Sequence, residues 1–269
     1  MRQWRLLCIW VSAVSVLSAC QDNRETADTK PQHAAAPACE LMVGWDPWEP
    51  YQYADADGTV RGLDVEIADL LAADAQCELK YVRGEWGQLL SQLRDGEVHM
   101  LLAGTVLPER EAYAQFSDPY REEAFAVFVR GDSLEKLKSM DILQLAEAGH
   151  KVGITEGYFY GEEINEKAYT GALASAFLPA PFAELNYWRL LDGTTDALLD
   201  DPFVGVSVIR RKGWENRIVR HPQVLRSGTV SLMFSRASVA AEQVKQFNDA
   251  LARRKADGSI DRIVGKYRR

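Results

Sequence analysis

A segment in the first half of the chain combines groups that could bind a small carboxylate. Gly104 and Thr105 directly follow residues 98–102, an apolar run typical of a buried strand, and Arg110 lies in the first turn of a helix that Pro108 begins. Proline is tolerated there because its missing N–H would have no partner in the first turn. Backbone N–H groups, a hydroxyl and a guanidinium therefore meet where a strand ends and a helix begins, which suits a carboxylate. The same residues are also typical of an ordinary strand-to-helix connection with a surface arginine, so the rest of the sequence must decide.

Strands and helices alternate from residue 40 onward, as expected for parallel sheets covered by helices. The alternation stops at Gly131 and then restarts, which favours two α/β lobes. Ligands of such sheets bind beyond the carboxyl ends of the strands, so the loop that holds Arg110 is a candidate site. We predict strands at residues 40–45, 78–82, 98–102, 124–129, 152–155, 176–178, 196–199 and 230–234, helices at residues 63–71, 86–93, 138–148, 161–169, 182–191, 202–211 and 238–254, and a last short helix that ends at residue 267.

The N-terminus is typical of an exported lipoprotein. Two arginines precede an apolar stretch at residues 6–19 that is too short to span a bilayer. Small residues flank Cys20 at the end of this stretch, an arrangement that resembles the bacterial lipoprotein cleavage and acylation site. We therefore predict a signal peptide at residues 1–19 and lipidation of Cys20. The polar segment that continues to residue 38 is rich in Ala, Pro and Thr, and we interpret residues 20–38 as the lipidated cysteine and a flexible tether.

The charge balance excludes one class of partner. The chain has 31 basic and 39 acidic residues, and the predicted signal peptide contains none of the acidic ones. An acidic mature protein argues against nucleic acid as a partner. The four histidines are scattered and form no metal-binding spacing, and the sequence contains no glycine-rich phosphate loop and no nucleophile elbow. We expect no metal and no cofactor.

Two cysteines remain in the part of the chain that follows the tether. Cys39 and Cys77 begin two similar runs, at residues 39–43 and 77–82, which a helical segment separates. If these runs are neighbouring parallel strands, their first residues lie side by side and close enough for a disulfide. An exported protein is in a compartment that permits oxidation. The sequence thus predicts a Cys39–Cys77 disulfide, with two unpaired half-buried thiols as the alternative.

Four ordered blocks of the sequence carry a resemblance to a known family. They are residues 50–68 with their Pro-Tyr-Gln-Tyr and Gly-Leu-Asp-Val-Glu-Ile-Ala runs, residues 103–110, residues 116–120 and residues 234–235. Together they resemble the extracytoplasmic solute-binding proteins of family 3, which present polar amino acids to transporters. The resemblance covers essentially all of residues 40–267. It implies a two-lobed periplasmic binding fold of type II, in which each lobe is a parallel-dominated sheet flanked by helices and two strands form a hinge.

The resemblance also implies domain boundaries. The first lobe would comprise residues 39–129 together with residues 229–269, and the second lobe residues 132–227. The two crossings near Arg130 and near Gly228 would be the hinge, because strands that cross at small residues can absorb a closing motion without disrupting either core.

The resemblance implies roles for both ends of a bound amino acid. Arg110 matches the arginine that takes the α-carboxylate, and Thr105 matches a hydroxyl residue that assists it. Asp201 matches the aspartate that takes the α-ammonium group. An aspartate before Pro202 is also a common helix N-cap, and Asp200 competes for the same role, so these alternatives stay open.

Aromatic residues would enclose the ligand. Trp48 and Trp86 match the positions that sandwich an amino acid in the family, although Trp86 begins an apolar helix face and could equally belong to the core. Tyr158 lies in an aromatic run at residues 157–161 where the family usually has a Gly-Thr pair. This run is either a hydrophobic plug or a stacking surface for a cyclic or aromatic ligand.

From the N-terminal signal and the resemblance together we expect a monomeric, membrane-anchored lipoprotein of the periplasm that captures a small carboxylate-bearing solute, such as an amino acid or a derivative. It would close on the ligand and deliver it to the permease of a membrane transporter, without catalysis. Two alternatives use the same fold. One is a periplasmic dehydratase-like enzyme, and the other is an envelope module that senses a ligand.

Overall fold

The computed structural model of the chain describes residues 39–267. The predicted signal peptide, Cys20 and the tether lie outside the described residues. None of the helices among the described residues is both long enough and apolar enough to cross a bilayer.

The described part of the chain contains eleven strands. Most of them are short and lie in the order that the alternating pattern predicts. They are β1 (Cys39–Trp45), β2 (Tyr53–Ala54), β3 (Val60–Arg61), β4 (Cys77–Arg83), β5 (Met100–Gly104), β6 (Ala114–Phe116), β7 (Arg121–Arg130), β8 (Val152–Thr155), β9 (Phe177–Ala180), β10 (Ala197–Asp200) and β11 (Ile218–Ser235).

Ten α-helices and one 3₁₀ turn (Ala174–Ala176) lie between and after these strands in residues 39–267. The helices are α1 (Leu63–Asp74), α2 (Trp86–Asp95), α3 (Pro108–Glu111), α4 (Leu134–Leu137), α5 (Ile142–Glu147), α6 (Glu162–Tyr169), α7 (Ala183–Asp192), α8 (Pro202–Lys212), α9 (Ala241–Ala256) and α10 (Ser259–Tyr267).

One curled mixed sheet has the order β4-β1-β5-β11-β7-β10-β8-β9, with β6 also paired to β11, and β2 and β3 form a separate small sheet. At one end β1 pairs in parallel with β4 and β5. At the other end β8 pairs in parallel with β9 and β10. The long strands β7 and β11 lie between these parallel groups and pair antiparallel to each other. The predicted two-lobed α/β architecture is therefore confirmed, with one parallel group in each lobe.

The sequence predicts a strand that begins at residue 230, whereas the structure has one continuous strand, β11, from Ile218 to Ser235. The strand continues because β7 supplies antiparallel partners on both sides of Gly228. The glycine instead marks a local irregularity, since the pairing register shifts between Arg226 and Gly228.

The pairing of β7 bears on where this strand would cross between the lobes. Residues 126–129 of β7 pair with β10, a strand of the second lobe. We therefore propose that β7 crosses between the lobes before Ala126 rather than near Arg130. The crossing proposed near Gly228 coincides with the register shift in β11.

A second difference concerns the helix predicted at residues 138–148. In this range the structure has only the short helix α5, and α4 lies before it. Asp141 is the N-cap of α5, because its side chain accepts hydrogen bonds from the backbone N–H groups of Leu143 and Gln144. This cap sets the start of α5, which is later than the apolar spacing alone predicts.

Each lobe has an apolar core on the faces of its strands. In the first lobe Val43 and Met100 pack with Ile67 and Leu71, which lie one helical turn apart on α1. In the second lobe Val127 and Val129 of β7 pack among the side chains of α5 and β8. The buried periodicity that predicted α1 thus sets its orientation against the sheet.

Cys39 and Cys77 form a disulfide, as predicted. The two residues are direct register partners on the parallel strands β1 and β4, with their Cα atoms 4.6 Å apart. The strand register therefore brings the two thiols together.

Removal of this disulfide should destabilise the fold. The bond closes a loop with a sequence separation of 38 residues. In the chain-entropy view a loop of this size favours the folded state by about 2–4 kcal/mol, because the cross-link restricts the unfolded chain. We expect the Cys39→Ala, Cys77→Ala double variant to lose that much in urea unfolding. A wild-type free energy of unfolding that does not fall under reducing conditions would contradict this expectation.

Candidate ligand-binding site

A small cavity lies between the two lobes at the carboxyl ends of β1 and β5. Its volume is about 30 Å³, which is room for about two water molecules. Side chains of the first lobe and residues 157–159 of the second lobe line it, together with part of β7. The structure thus brings together Trp48, Trp86, Thr105, Arg110 and Tyr158, five of the residues that the sequence nominates.

Arg110 lies at this cavity as a buried cation. It follows Pro108 in the first turn of α3, as predicted, but it is only 5% exposed and not a surface arginine. Its Nη1 donates to the carbonyl oxygen of Thr105 at 3.2 Å, and its Nη2 donates to the carbonyl oxygen of Gly157 at 2.6 Å. Burial lowers the pKa of Arg110. Among the described residues the guanidinium has no ion pair, so its remaining N–H groups can bind an anion.

Gly157 connects the lobes at this point. Its carbonyl oxygen accepts hydrogen bonds from both Arg110 and Trp86 Nε1, the latter at 3.1 Å. Gly157 has a φ of +74°, and a Cβ there would lie 3.1 Å from Cδ1 of Trp86. Glycine therefore permits both the left-handed backbone and the close approach of the two lobes.

The segment before Arg110 is conformationally strained. Ala103 has a φ of +56°, which is uncommon for a residue with a Cβ. Its N–H donates to the hydroxyl of Tyr120 at 3.0 Å, and the residue lines the cavity. Gly104 does not line the cavity, and a Cβ there would lie 2.8 Å from Cβ of Met233. Gly104 therefore lets β5 pack closely against β11, and its predicted contact with a ligand stays a prediction.

Tyr158 lies at the centre of an aromatic cluster. Its ring centroid is 6.1 Å from that of Trp48 and 6.4 Å from that of Trp86, both in edge-on geometry. It is also 6.3 Å from the ring of Phe125 on β7. Trp48 and Trp86 are 5% and 8% exposed, so each is both a cavity wall and a core residue. Tyr158 fills the space next to the cavity and also offers a ring face, so both interpretations of its role remain.

Asp201 does not line the cavity. Its Oδ1 accepts hydrogen bonds from the backbone N–H groups of Phe203 and Val204, which makes it the N-cap of α8. Its Oδ2 accepts from the hydroxyl of Tyr51 at 3.0 Å. The alternative role as a helix cap is thus present in the structure, and the ammonium-binding role of Asp201 stays a prediction.

Asp200, the alternative candidate for the ammonium-binding role, is also buried. Tyr187 donates to its Oδ2 at 2.7 Å, and the N–H of Asp201 donates to its Oδ1 at 2.8 Å. Burial raises the pKa of Asp200 to about 7, although the bond from Tyr187 opposes this shift.

Two carboxylates that the sequence analysis did not nominate line the cavity. Burial raises the pKa of Asp46 to about 6, and it raises that of Glu123 to about 7. Glu123 is 8% exposed and accepts a hydrogen bond from Ser227 Oγ at 3.2 Å. The sequence did contain a signal that Glu123 faces inward. Glu123 alternates in phase with the inward-facing apolar residues Phe125 and Val127 of β7. Asp46 directly follows β1, at the end where ligands bind.

These raised pKa values predict a pH dependence of stability. A carboxyl group with a raised pKa binds its proton more tightly in the folded state than in the unfolded state, so the stability it contributes at low pH is lost as the pH rises through about 7. We expect Glu123→Gln to remove this loss. At about pH 8 the variant should exceed the wild type in free energy of unfolding by about 1–3 kcal/mol, and at about pH 4 the difference should vanish. Urea unfolding at both pH values tests this, and an identical difference at both would contradict it.

A second buried arginine next to the cavity is fully paired. Arg121 Nε and Nη2 donate to the two carboxylate oxygens of Asp64 at 2.8 and 2.9 Å, and both side chains are almost completely buried. The guanidinium also lies over the ring of Tyr51, 4.2 Å from its centroid. Arg121 is therefore a structural cation, in contrast to Arg110.

The chain belongs to the bacterial extracellular solute-binding proteins of family 3, whose family model matches residues 41–269. Among individual proteins, it is similar to the amino-acid-binding protein AabA of Dichelobacter nodosus. The two are 25% identical over 241 residues, which cover 87% of this chain and 89% of that protein.

Solved structures show the same fold. One is the arginine-, lysine-, histidine-binding protein ArtJ from Geobacillus stearothermophilus, with a TM-score of 0.71 and 23% identity over 85% of this chain and 94% of that chain. Another is an ancestral amino acid-binding protein described as a precursor of cyclohexadienyl dehydratase, with a TM-score of 0.69 and 22% identity over 85% of this chain and 94% of that chain. The two-lobed periplasmic binding fold predicted from the sequence is confirmed.

The described residues contain no cluster of three or more His, Cys, Asp and Glu side chains that could hold a metal ion. The side chains that line the cavity supply one guanidinium, two carboxylates, an amide, the hydroxyls of Thr105 and Tyr158, and an aromatic wall.

Proposed function

We propose that the protein is a lipid-anchored solute-binding protein of the periplasm that captures a small carboxylate-bearing solute, most simply an amino acid or a derivative, and delivers it to a membrane transporter. The observation that carries this proposal is Arg110, a buried guanidinium without an ion pair among residues 39–267, at a cavity between the lobes. A bidentate carboxylate would supply the missing countercharge.

The proposed mechanism is closure of the two lobes on the solute. Three hydrogen bonds connect the lobes near the cavity, from Arg110 and Trp86 to the carbonyl of Gly157 and from Tyr51 to Asp201. These contacts stabilise the closed arrangement and must break when the lobes separate. A cavity of about 30 Å³ is too small for an amino acid, so the solute enters an opened form and shifts the population toward closure.

A thermal-shift screen over the standard amino acids and small organic acids tests the proposal. A ligand at about 100 times its dissociation constant stabilises the folded state by about 2.7 kcal/mol, which raises Tm by roughly 5–10 °C for a domain of this size. We expect at least one amino acid to produce such a shift. If none of these compounds changes Tm at millimolar concentration, the proposed function is wrong.

One observation favours a second candidate, a dehydratase-like enzyme on the same fold. Glu123 is a buried carboxyl group at the cavity with a pKa of about 7, which is the range a general acid needs near neutral pH. A turnover assay with prephenate-like acids separates the candidates. Release of water or carbon dioxide by the wild type and its loss in Glu123→Gln would establish the enzyme, and stable binding without turnover would exclude it for those acids.

A further inference from the structure

More acidic than basic side chains line the cavity. Three residues of the charged types line it: Asp46 and Glu123 are acidic, and Arg110 is basic. Asp200 and Asp201 lie buried nearby, each 2% exposed. Their side-chain oxygens accept hydrogen bonds from tyrosine hydroxyls and backbone N–H groups. The nearby cation Arg121 is already paired with Asp64. A neutral zwitterion that matches Arg110 and one carboxylate would thus leave the other carboxylate of the cavity without a cation.

One residue that lines the same cavity has an unpaired acceptor. Gln52 is 2% exposed and lines the cavity, and its Oε1 has no hydrogen-bond partner among the described residues. A buried acceptor without a donor is unfavourable. A ligand that carries several N–H donors would satisfy it.

The relative positions of the two carboxylates assign them different roles. Glu123 lines this cavity together with Arg110 but does not line the neighbouring interlobe cleft, whereas Asp46 lines both. Because the two charged groups of an α-amino acid share one carbon atom, Glu123 suits the α-ammonium when Arg110 holds the α-carboxylate. The cleft that Asp46 lines has a volume of about 640 Å³, and a long side chain can extend toward it.

We propose that the ligand is an α-amino acid with a cationic side chain, whose α-carboxylate binds Arg110, whose α-ammonium binds Glu123 and whose terminal cation binds Asp46 with Gln52 as an additional acceptor. This inference rests on the proposed function and narrows it to one class of solute. It also assigns the ammonium to Glu123 in place of Asp201, whose oxygens already cap α8 and accept from Tyr51.

Calorimetry on the purified protein with L-arginine and L-citrulline tests the ligand class, because the two differ only in that a neutral ureido group replaces the guanidinium. L-Glutamine and L-glutamate extend the series to a shorter neutral and an acidic side chain. We expect L-arginine to bind at least about tenfold more tightly than L-citrulline, and L-glutamate to bind most weakly. Equal binding of arginine and citrulline, or tighter binding of glutamate, overturns this inference alone. Binding of none of the four, with no hit in the wider screen, overturns the proposed function as well.

Two variants test the separate roles. Asp46→Asn should bring the ratio of arginine to citrulline affinity close to one while citrulline affinity changes less than about threefold, because only the terminal cation is lost. Glu123→Gln should weaken both ligands by a similar factor of about ten or more, because both carry the α-ammonium. The neighbouring Glu122 is the matched control, since its side chain is 80% exposed on the same strand, and Glu122→Gln should leave both affinities unchanged. An unchanged ratio in Asp46→Asn, when that variant binds citrulline like the wild type, overturns the assignment.

Discussion

Arg110→Ala is expected to weaken the binding of every carboxylate-bearing ligand by about 100-fold or more. A buried bidentate pair comprises two charge-assisted hydrogen bonds of about 1.5–3 kcal/mol each, and their loss leaves the ligand carboxylate buried without a countercharge. Arg110→Lys should be intermediate, because an ammonium keeps the charge but cannot donate two parallel hydrogen bonds. Isothermal titration calorimetry with the ligands found in the thermal-shift screen measures both effects.

The control for this prediction is Arg94→Ala. Arg94 is an exposed arginine in the last turn of α2, stacked on Tyr113 and not among the residues that line the cavity. Its removal should leave affinity unchanged. If Arg110→Ala is folded by urea unfolding and still binds each carboxylate ligand as tightly as the wild type, the site assignment is wrong.

Asp64→Asn should have the largest effect on stability, a loss of about 3–5 kcal/mol in the free energy of unfolding. The change is nearly isosteric, but it leaves the guanidinium of Arg121 buried without its carboxylate. Urea unfolding of the wild type and the variant measures the difference, provided that the two have the same m-value. Because Arg121 contacts the ring of Tyr51 and lies close to the cavity, the variant should also lose ligand affinity.

A comparable pair at the surface provides the control for Asp64→Asn. Asp74 accepts two hydrogen bonds from Arg254 in the same bidentate manner, but the Arg254 side chain is 31% exposed. Water can solvate that arginine after Asp74→Asn, so the expected loss is about 1 kcal/mol or less. Equal losses in the free energy of unfolding of the two variants would show that burial does not increase the contribution of the Asp64–Arg121 pair to stability.

Local sequence features predicted much of this fold because they coincide with local physical causes. The alternation of strands and helices gave the two lobes, and the matching runs that begin at Cys39 and Cys77 gave both the parallel pairing and the disulfide. Pro108 marked the start of the helix that holds Arg110. In each case the relevant interaction lies within a few residues or within one strand-helix-strand unit.

The parts that the sequence did not predict depend on distant partners. The continuity of β11 past Gly228 depends on pairing with β7, about a hundred residues earlier in the chain, and on no local signal. Glu123 lies in phase with the buried apolar residues of β7, but the sequence does not show that this position lines a cavity between the lobes. Asp201 carries the same sequence signal as a ligand group and as a helix cap, and only the structure shows that Tyr51 and α8 use its oxygens.

The central claim is that Arg110 recognises a ligand carboxylate, and calorimetry on the wild-type protein tests it most directly. Each amino acid that binds would be compared with the amine that remains when its carboxylate is removed, for example L-arginine with agmatine, L-lysine with cadaverine and L-histidine with histamine. No residue of the protein changes, so a folding defect cannot produce the result. We predict that each amine binds about 100-fold more weakly than its amino acid, or not at all. Equal affinity of an amino acid and its amine would contradict the account.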